Sequence, residues 1–234
     1  MTISPEQQAY YDAIRSVQSL YEADIFLYNA PISEDGFAQL VEAVSATNPT
    51  TENKNCILIL VTYGGLANSA YQIARLMQTT YEKFFIFTPS VCKSAGTIIA
   101  LGAHEIIMDV FSELGPLDVQ LLDKDEIGNR KSGLLTRSAF EALASESFDL
   151  FSHHMMNIKV ASGGLVSFRL AADIASKMTS DLMSPVFAQL NPDVIGSDYR
   201  DLSVATEYGS RLAKISENAR QDSVRRLVSE YPSH

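Results

Sequence analysis

The sequence predicts an α/β fold with a parallel β-α-β core and a mainly helical C-terminal part. The run Cys56 to Thr62 (CILILVT) is apolar throughout, as is typical of a parallel strand that is buried on both faces. Two more apolar runs, at residues 84–88 and 105–108, alternate with segments of helical periodicity. Such an alternation with short links favours a parallel sheet with helices on its faces.

Two helices and a strand are predicted ahead of this buried run. Apolar residues recur at helical intervals over residues 5–23, which indicates an amphipathic helix. Residues 24–29 (DIFLYN) form a short apolar run and are a candidate strand. Ser33 stands before an acidic first turn in the manner of an N-cap, so a second helix is expected from there to about Ala46.

The rest of the chain continues the alternation and then becomes helical. Helices are expected at 68–80 and 94–103, and a loop at 110–133. Within the C-terminal part, helices are predicted at 136–159, 165–178 and 181–190, with two more before the end. We expect a single domain, with the N-terminal helix at 1–23, the α/β core at 24–133 and the helical part at 134–234.

Charge and composition exclude several classes of partner. The 18 Lys and Arg against 28 Asp and Glu give a net charge of −10, which disfavours nucleic acids and anionic membrane surfaces. No apolar run reaches the roughly 20 residues that span a bilayer, and the N-terminus lacks the layout of a signal peptide. These features predict a cytoplasmic protein without a membrane span.

The cysteines and histidines do not indicate a bound group. Cys56 and Cys92 lie inside or beside apolar runs and provide no disulfide framework, so we expect reduced, buried thiols. No spacing of Cys, His and Asp indicates a metal site, and no cofactor is expected.

A double glycine, Gly64-Gly65, follows the buried strand and precedes a helix. Two glycines let the backbone turn tightly with its N–H groups outward, as an oxyanion hole or an anion nest requires. Many such pairs only make a turn, so this signal is weak by itself.

Ser94, in VCKSAGTIIALG, is the candidate nucleophile. The small residues Ala95 and Gly96 follow it, so its hydroxyl would lie exposed at the positive end of a helix dipole, beside backbone N–H groups. The alternative interpretation is an ordinary N-cap serine.

The order of these motifs resembles the Clp peptidase and signal peptide peptidase A superfamily. The double glycine, a helix and a strand, the SAG helix and then LGPLD at 114–118 follow one another along the chain. The sequence looks most similar to the serine dehydrogenase proteinase (SDH-protease) group, whose members read TPGG, SAGT and LGPxDPQ. The resemblance covers about residues 24–120 and extends more faintly through 191–212 and 227–234.

This resemblance implies a ClpP/crotonase-like fold and a serine peptidase that forms an acyl-enzyme on Ser94. It also implies that the backbone N–H groups of Gly65 and Ala95 form the oxyanion hole. Tyr63 and Val119 stand where the family usually has proline, which leaves the shape of the substrate groove open.

The general base is left open. No histidine follows Ser94 where Clp-type peptidases carry theirs. A Ser–Lys dyad is the alternative. Lys131 in GNRKSGLLT is the candidate base, because this stretch looks like the lysine-bearing segment of signal peptide peptidase A. The rival interpretation of Lys131 is a solvated lysine in a loop. Lys93 adjoins the serine, but neighbouring side chains at a helix start diverge. Three histidines suit packing or surface roles: His104, His153 and His154. The role of the C-terminal His234 is left open.

Two other functions are kept beside the peptidase. A catalytically silent scaffold would retain the fold and bind a partner protein, and the lack of a clear base favours it. An acyl-CoA enzyme of the crotonase type would use the same two N–H donors on a thioester, but it needs a basic rim of which this acidic chain shows little. For the peptidase, a peptide or protein substrate is expected, and the resemblance implies a homo-oligomer.

Overall fold

The chain divides into two compact units, residues 1–132 with 201–234 and residues 133–200. Its organisation as a single domain stays a prediction. No helix in the described ranges combines the length and the apolar content that a bilayer span needs. The structure is a computed structural model and describes residues 4–47, 53–117, 120–122 and 130–229.

The first unit contains a four-stranded parallel sheet and two small two-stranded sheets. In chain order the strands are β1 (Ala23–Asn29), β2 (Asn55–Val61), β3 (Lys83–Thr88), β4 (Val91–Cys92), β5 (Glu105–Met108), β6 (Glu113–Leu114), β7 (Gln120–Leu122) and β8 (Arg130–Ser132). The main sheet has the order β1-β2-β3-β5, and all neighbours in it are parallel. Strand β4 pairs with β6 in parallel, and β7 pairs with β8 antiparallel. The parallel sheet predicted from the apolar runs is therefore confirmed.

Strand β2 packs on both of its faces, as its continuous apolar run predicts. Leu58 and Leu60 are fully buried in the main core. On the opposite face Ile57 packs with Phe85, which is also its register partner in β3. A strand covered on both sides explains why no polar residue alternates through this run.

Eight helices occur among the described residues. In chain order they are α1 (Pro5–Tyr21), α2 (Glu34–Thr47), α3 (Ala67–Thr80), α4 (Ala95–Gly102), α5 (Gly133–Ala161), α6 (Phe168–Phe187), α7 (Pro192–Ser216) and α8 (Gln221–Ser229). A capping box starts α1, because Ser4 Oγ accepts the Gln7 N–H and the Gln7 side chain accepts the Ser4 N–H. The predicted cap of α2 is confirmed, since Ser33 Oγ accepts the Gly36 N–H at 3.1 Å.

The C-terminal helices complete the core behind α4. Leu212 of α7 and Val224 of α8 are fully buried in the same cluster as the sheet residues. Ser216 Oγ donates to the Leu101 carbonyl oxygen at 2.7 Å, at the end of α4. The C-terminal helices therefore hold the end of α4 in place.

A buried carboxylate joins the start of β1 to the end of α3. Asp24 is 8% exposed and accepts hydrogen bonds from Tyr81 Oη at 2.9 Å and Asn53 Nδ2 at 2.7 Å. Burial raises the pKa of the Tyr81 hydroxyl above its ordinary value, and the bond to Asp24 acts in the same direction. Burial also raises the pKa of the Cys56 thiol, with a smaller contribution from the charge of Asp24. The tyrosine and the thiol therefore stay neutral beside the carboxylate at neutral pH.

In the second unit, α5 and α6 form an antiparallel pair. Phe140 near the start of α5 meets Phe187 at the end of α6, with ring centroids 6.3 Å apart. The connection between the two helices is held by Lys159, whose Nζ donates to the carbonyl oxygens of Gly164 at 3.1 Å and Val166 at 2.5 Å.

Two predictions of element boundaries are wrong. Residues 110–133, expected to form a loop, contain the short strands β6, β7 and β8, and strands of two or three residues are too short to show a periodic pattern. The helices expected at 165–178 and 181–190 are one helix, α6. Thr179 is buried and continues the ridge of Ala171 and Ala175, so packing carries the helix across the polar gap.

Candidate active site

The turn between β4 and α4 holds Ser94 in an unusual backbone conformation. The turn is closed by the Gly96 N–H, which donates to the Lys93 carbonyl oxygen at 2.9 Å. Ser94 has φ +55° and ψ −118°, the angles of the first central residue of a type II′ turn. Glycine normally occupies that position, and a residue with a side chain in such a region costs about 1–3 kcal/mol. The turn therefore stores strain at the candidate nucleophile.

The Ser94 side chain does not cap the helix that follows it. Its backbone lies outside the extended region that N-cap residues adopt, and its Oγ makes no capping hydrogen bond to α4. The residue is only 4% exposed, so the expectation of an exposed hydroxyl is wrong, because the Gly64 loop packs against this side chain. Its Oγ lies beside the double glycine, since a Cβ atom placed on Gly64 would be 3.0 Å from it. These observations oppose the ordinary N-cap interpretation.

The double glycine lies between Ser94 and the loop after β1. Gly64 and Gly65 both have positive φ, +116° and +151°. The Ile32 N–H donates to the Gly64 carbonyl oxygen and the Leu66 N–H donates to the Ile32 carbonyl oxygen, both at 2.9 Å. Successive peptide groups of an extended chain point to alternate sides, so the N–H of Gly65 itself points away from Ile32. A Cβ on Gly65 would collide with the Ile32 backbone, which explains the need for glycine.

Thr62 connects the double glycine to the serine turn, and it is a site residue that was not predicted from the sequence. Its Oγ1 accepts the Gly64 N–H at 3.1 Å, and its carbonyl oxygen accepts the Lys93 N–H at 3.1 Å. Its methyl group fills the space beside Gly96, where an added Cβ would be 2.6 Å from Cγ2. The only signal in the sequence is a threonine that ends a buried strand two residues before a glycine pair.

A third loop, around Gly115, packs against the serine turn. The Gly115 N–H donates to the Cys92 carbonyl oxygen at 2.9 Å, and the Gly115 carbonyl oxygen accepts the Thr97 hydroxyl at 2.7 Å. A Cβ on Gly115 would lie 2.8 Å from Lys93 Cγ, so the loop lies directly on that side chain. The loop that contains the LGP motif is therefore hydrogen-bonded both to β4 before the serine turn and to α4 after it.

The cysteine beside the serine turn is chemically unsuited to act as a nucleophile. Cys92 is fully buried, and burial raises the pKa of its thiol to about 12. Cys56 is buried as well, and neither residue forms a disulfide. The expectation of reduced, buried thiols is confirmed.

Two basic residues close to Ser94 in sequence are engaged elsewhere. Lys93 Nζ forms a salt bridge with Glu113 Oε2 at 2.7 Å. His104 stands at the start of β5, where its Nδ1 accepts the Phe84 N–H at 3.1 Å. That is the amino end of the parallel strands, whereas Ser94 lies at their carboxyl end. The packing role predicted for His104 is confirmed.

Lys131, the candidate base named from the sequence, lies in the pair of short antiparallel strands. Lys131 lies in β8 and pairs with Leu121 of β7, and only its backbone is described. Its role as the base stays a prediction, as do the roles of Gly65 and Ala95.

In the second unit, His153 Nε2 lies 2.7 Å from Asn157 Nδ2. The described residues hold no cluster of three or more His, Cys, Asp or Glu suited to a metal ion. Three other positions named from the sequence lie outside the described residues: Asp118, Val119 and His234.

Residues 25–127 match the model of the family described as ClpP-like SDH-type serine proteinase. This range includes all of the parallel sheet except the first two residues of β1, together with the double glycine and the serine turn. The match confirms the resemblance and the ClpP-like α/β fold that the sequence predicts for this part of the chain.

Two curated relatives match a shorter segment. Both are uncharacterized proteins of Methanocaldococcus jannaschii, each 39% identical to this chain over 80 residues, or 34% of it. The chain spans only 28% and 27% of the lengths of these relatives.

Solved structures of two proteases are also similar. A mutant of the 1510-N membrane-bound stomatin-specific protease in complex with a substrate peptide is 22% identical, with a TM-score of 0.41 over 53% of this chain and 57% of that one. The catalytic domain of the ClpP protease from Plasmodium falciparum is 10% identical, with a TM-score of 0.33 over 44% of this chain and 61% of that one.

Proposed function

We propose that this chain is a serine peptidase that forms an acyl-enzyme on Ser94. The observation that carries the proposal is the strained strand-to-helix turn, which places a nearly buried hydroxyl beside a double glycine. Serine hydrolases of α/β fold hold their nucleophile on a sharp, strained turn between a strand and a helix. The matched family is one of serine proteinases, which supports a peptide or protein as the substrate.

The proposed oxyanion hole consists of the backbone N–H groups of Gly65 and Ala95. Ala95 is the first residue of α4, so its N–H has no acceptor within the helix. The N–H of Gly65 points away from its neighbour Ile32, because the carbonyl oxygen of the same peptide group, that of Gly64, accepts the Ile32 N–H. One donor of this kind is worth about 2.7–4 kcal/mol of transition-state stabilisation.

The proposed general base is Lys131. A lysine acts as a base only when its pKa is depressed, which requires burial or a neighbouring cation. Lys93 is a poorer candidate because Glu113 holds its ammonium group. A homo-oligomeric state and a cytoplasmic location belong to the same proposal.

Labelling with a fluorophosphonate probe tests the proposal. We expect one adduct, mapped to Ser94 by peptide mass, and none in Ser94→Ala. Lys131→Ala should label about 100-fold more slowly, as loss of a general base predicts. Lys93→Met is the matched control, since it removes the neighbouring ammonium group but keeps the chain that packs on Gly115, and it should label at nearly the wild-type rate.

A catalytically silent scaffold is the second candidate, supported by the engagement of Lys93 and His104 with other groups. A folded protein that no fluorophosphonate labels and that hydrolyses no peptide would contradict the peptidase and support the scaffold. Binding of coenzyme A in a calorimeter would instead support the acyl-CoA enzyme.

A further inference from the structure

Helix α6 carries an exposed apolar ridge. Four large apolar side chains recur at every fourth position and are between 39% and 57% exposed: Leu170, Ile174, Met178 and Leu182. A ridge of smaller residues lies beside it and is buried: Ala171, Ala175 and Thr179. Rows of residues four apart are the ridges by which helices pack on one another, and in α6 one such row is covered while its apolar neighbour is exposed.

A ridge of alternating charge flanks this apolar ridge on its other side. Its members are again four residues apart, exposed and of alternating sign: Arg169, Asp173, Lys177 and Asp181. The apolar and charged ridges have nearly the same midpoint along the helix, at positions 176 and 175. The two basic and two acidic residues of the charged ridge give it a net charge of zero. The ridge therefore does not favour binding to an anionic membrane surface.

The charge pattern is complementary to itself when a second copy runs antiparallel. In a pair of antiparallel helices related by a twofold axis, the same flank of each helix faces its counterpart. With the axis at the level of position 175 along the helix, on the exposed face, Arg169 faces the partner's Asp181 and Asp173 faces the partner's Lys177. The twofold axis repeats both pairs, so all four charges meet an opposite charge.

The same pattern selects one register. A shift of the second helix by four residues would place Lys177 opposite the partner's Lys177 and Asp173 opposite the partner's Asp181. Like charges in contact are destabilising, so neighbouring registers are disfavoured while the centred register is favoured.

We infer that two copies of this chain associate through α6, antiparallel, with the apolar ridges in contact and the charged ridges paired. This surface lies entirely within the second unit. The inference specifies an interface for the proposed homo-oligomer, and it does not depend on the proposed peptidase activity. Paired rim charges of this kind contribute mainly specificity and orientation, while the apolar ridge supplies most of the binding free energy.

A charge-swap experiment tests the inference. One variant makes the ridge wholly positive (Asp173→Lys with Asp181→Lys) and a second makes it wholly negative (Arg169→Glu with Lys177→Glu). We expect each variant alone to show half the mass of the wild type in analytical ultracentrifugation. An equimolar mixture of the two should regain the wild-type mass.

The controls make the outcome decisive. Glu42→Lys with Glu105→Lys changes the net charge as much as the positive variant does, at exposed positions in the first unit, and should keep the wild-type mass. Circular dichroism checks that each variant keeps the helical content of the wild type. A monomeric wild type, single-sign variants that keep the wild-type mass, or a mixture that fails to reassociate would each overturn the inference.

Discussion

Among single residues, Thr62 has two separable functions in the candidate site. Its hydroxyl accepts the N–H of Gly64, and its methyl group packs at Gly96 on the serine turn. The hydroxyl thus orients the loop proposed to supply an oxyanion donor, while the methyl group fills the core between two loops. Single substitutions can remove either one.

We predict opposite effects for two conservative changes at this position. Thr62→Val keeps the shape but removes the acceptor for the Gly64 N–H, so kcat for a fluorogenic peptide should fall about tenfold or more with little change in KM. Thr62→Ser keeps the acceptor but removes the methyl group, so it should keep most of kcat and lose about 0.5–1.5 kcal/mol of unfolding free energy. Steady-state kinetics and urea denaturation measure the two effects. Equal losses of kcat in both variants would show that the hydroxyl does not position the loop.

The sequence was enough to select Ser94 as the candidate nucleophile, but it did not predict the backbone conformation of this residue. A serine before small residues at a helix start, after a glycine pair, is a local pattern and can be recognised. The positive φ depends on how the Gly64 and Gly115 loops enclose the turn, which is tertiary structure. Thr62 was missed for the same reason, since its bonds join residues that the fold brings together.

At the scale of elements, the close contact between β4 and α4 depends on Gly96. An added Cβ there would lie 2.6 Å from Thr62 Cγ2 and 2.9 Å from Cys92 Sγ, both on buried residues. We predict that Gly96→Ala lowers the unfolding free energy by about 1–3 kcal/mol, as overpacking of a core does. It should also displace the serine turn and slow fluorophosphonate labelling. Chemical denaturation and the labelling rate provide the measurements.

Gly196 is the matched control for that substitution. It lies within α7, and an added Cβ would meet nothing within 4 Å. Gly196→Ala should therefore raise the unfolding free energy by about 0.4–1 kcal/mol, because alanine restricts the unfolded chain. If both variants destabilised the protein equally, the cause would be other than crowding at the serine turn.

Long, strongly patterned elements were predictable, and short ones were not. The apolar runs of β2, β3 and β5 and the first helices agree with the structure because burial dictates their composition. Strands β6 to β8 have two or three residues each, and their pairing partners decide their conformation. Helix α6 continues past the predicted break because its packing, rather than local propensity, determines its length.

At the scale of the whole molecule, three buried groups are expected to lower the unfolding free energy at alkaline pH. Burial raises the pKa of Cys92 from 9.0 to about 12, and it raises those of Cys56 and Tyr81 as well. Above about pH 9 for the two thiols and about pH 10 for the tyrosine, the unfolded chain releases these protons while the folded chain keeps them. Stability is therefore fully present below pH 9 and should fall as the pH rises towards 12.

Denaturation measured at several pH values checks this prediction. Each group contributes a slope of up to about 1.4 kcal/mol per pH unit within its window. Cys92→Ala should start from a lower stability, because it leaves a cavity, but should lose less stability between pH 9 and pH 11 than the wild type. Parallel curves for the two proteins would contradict the assignment.

The left-handed backbone at position 94 has a further consequence. Glycine adopts those angles without steric conflict, so Ser94→Gly should fold more stably than the wild type while Ser94→Ala should not. If the hydroxyl had no part in activity, glycine at this turn would leave activity unchanged and make the folded protein more stable. The difference in melting temperature between the two variants measures the strain that the serine imposes on the fold.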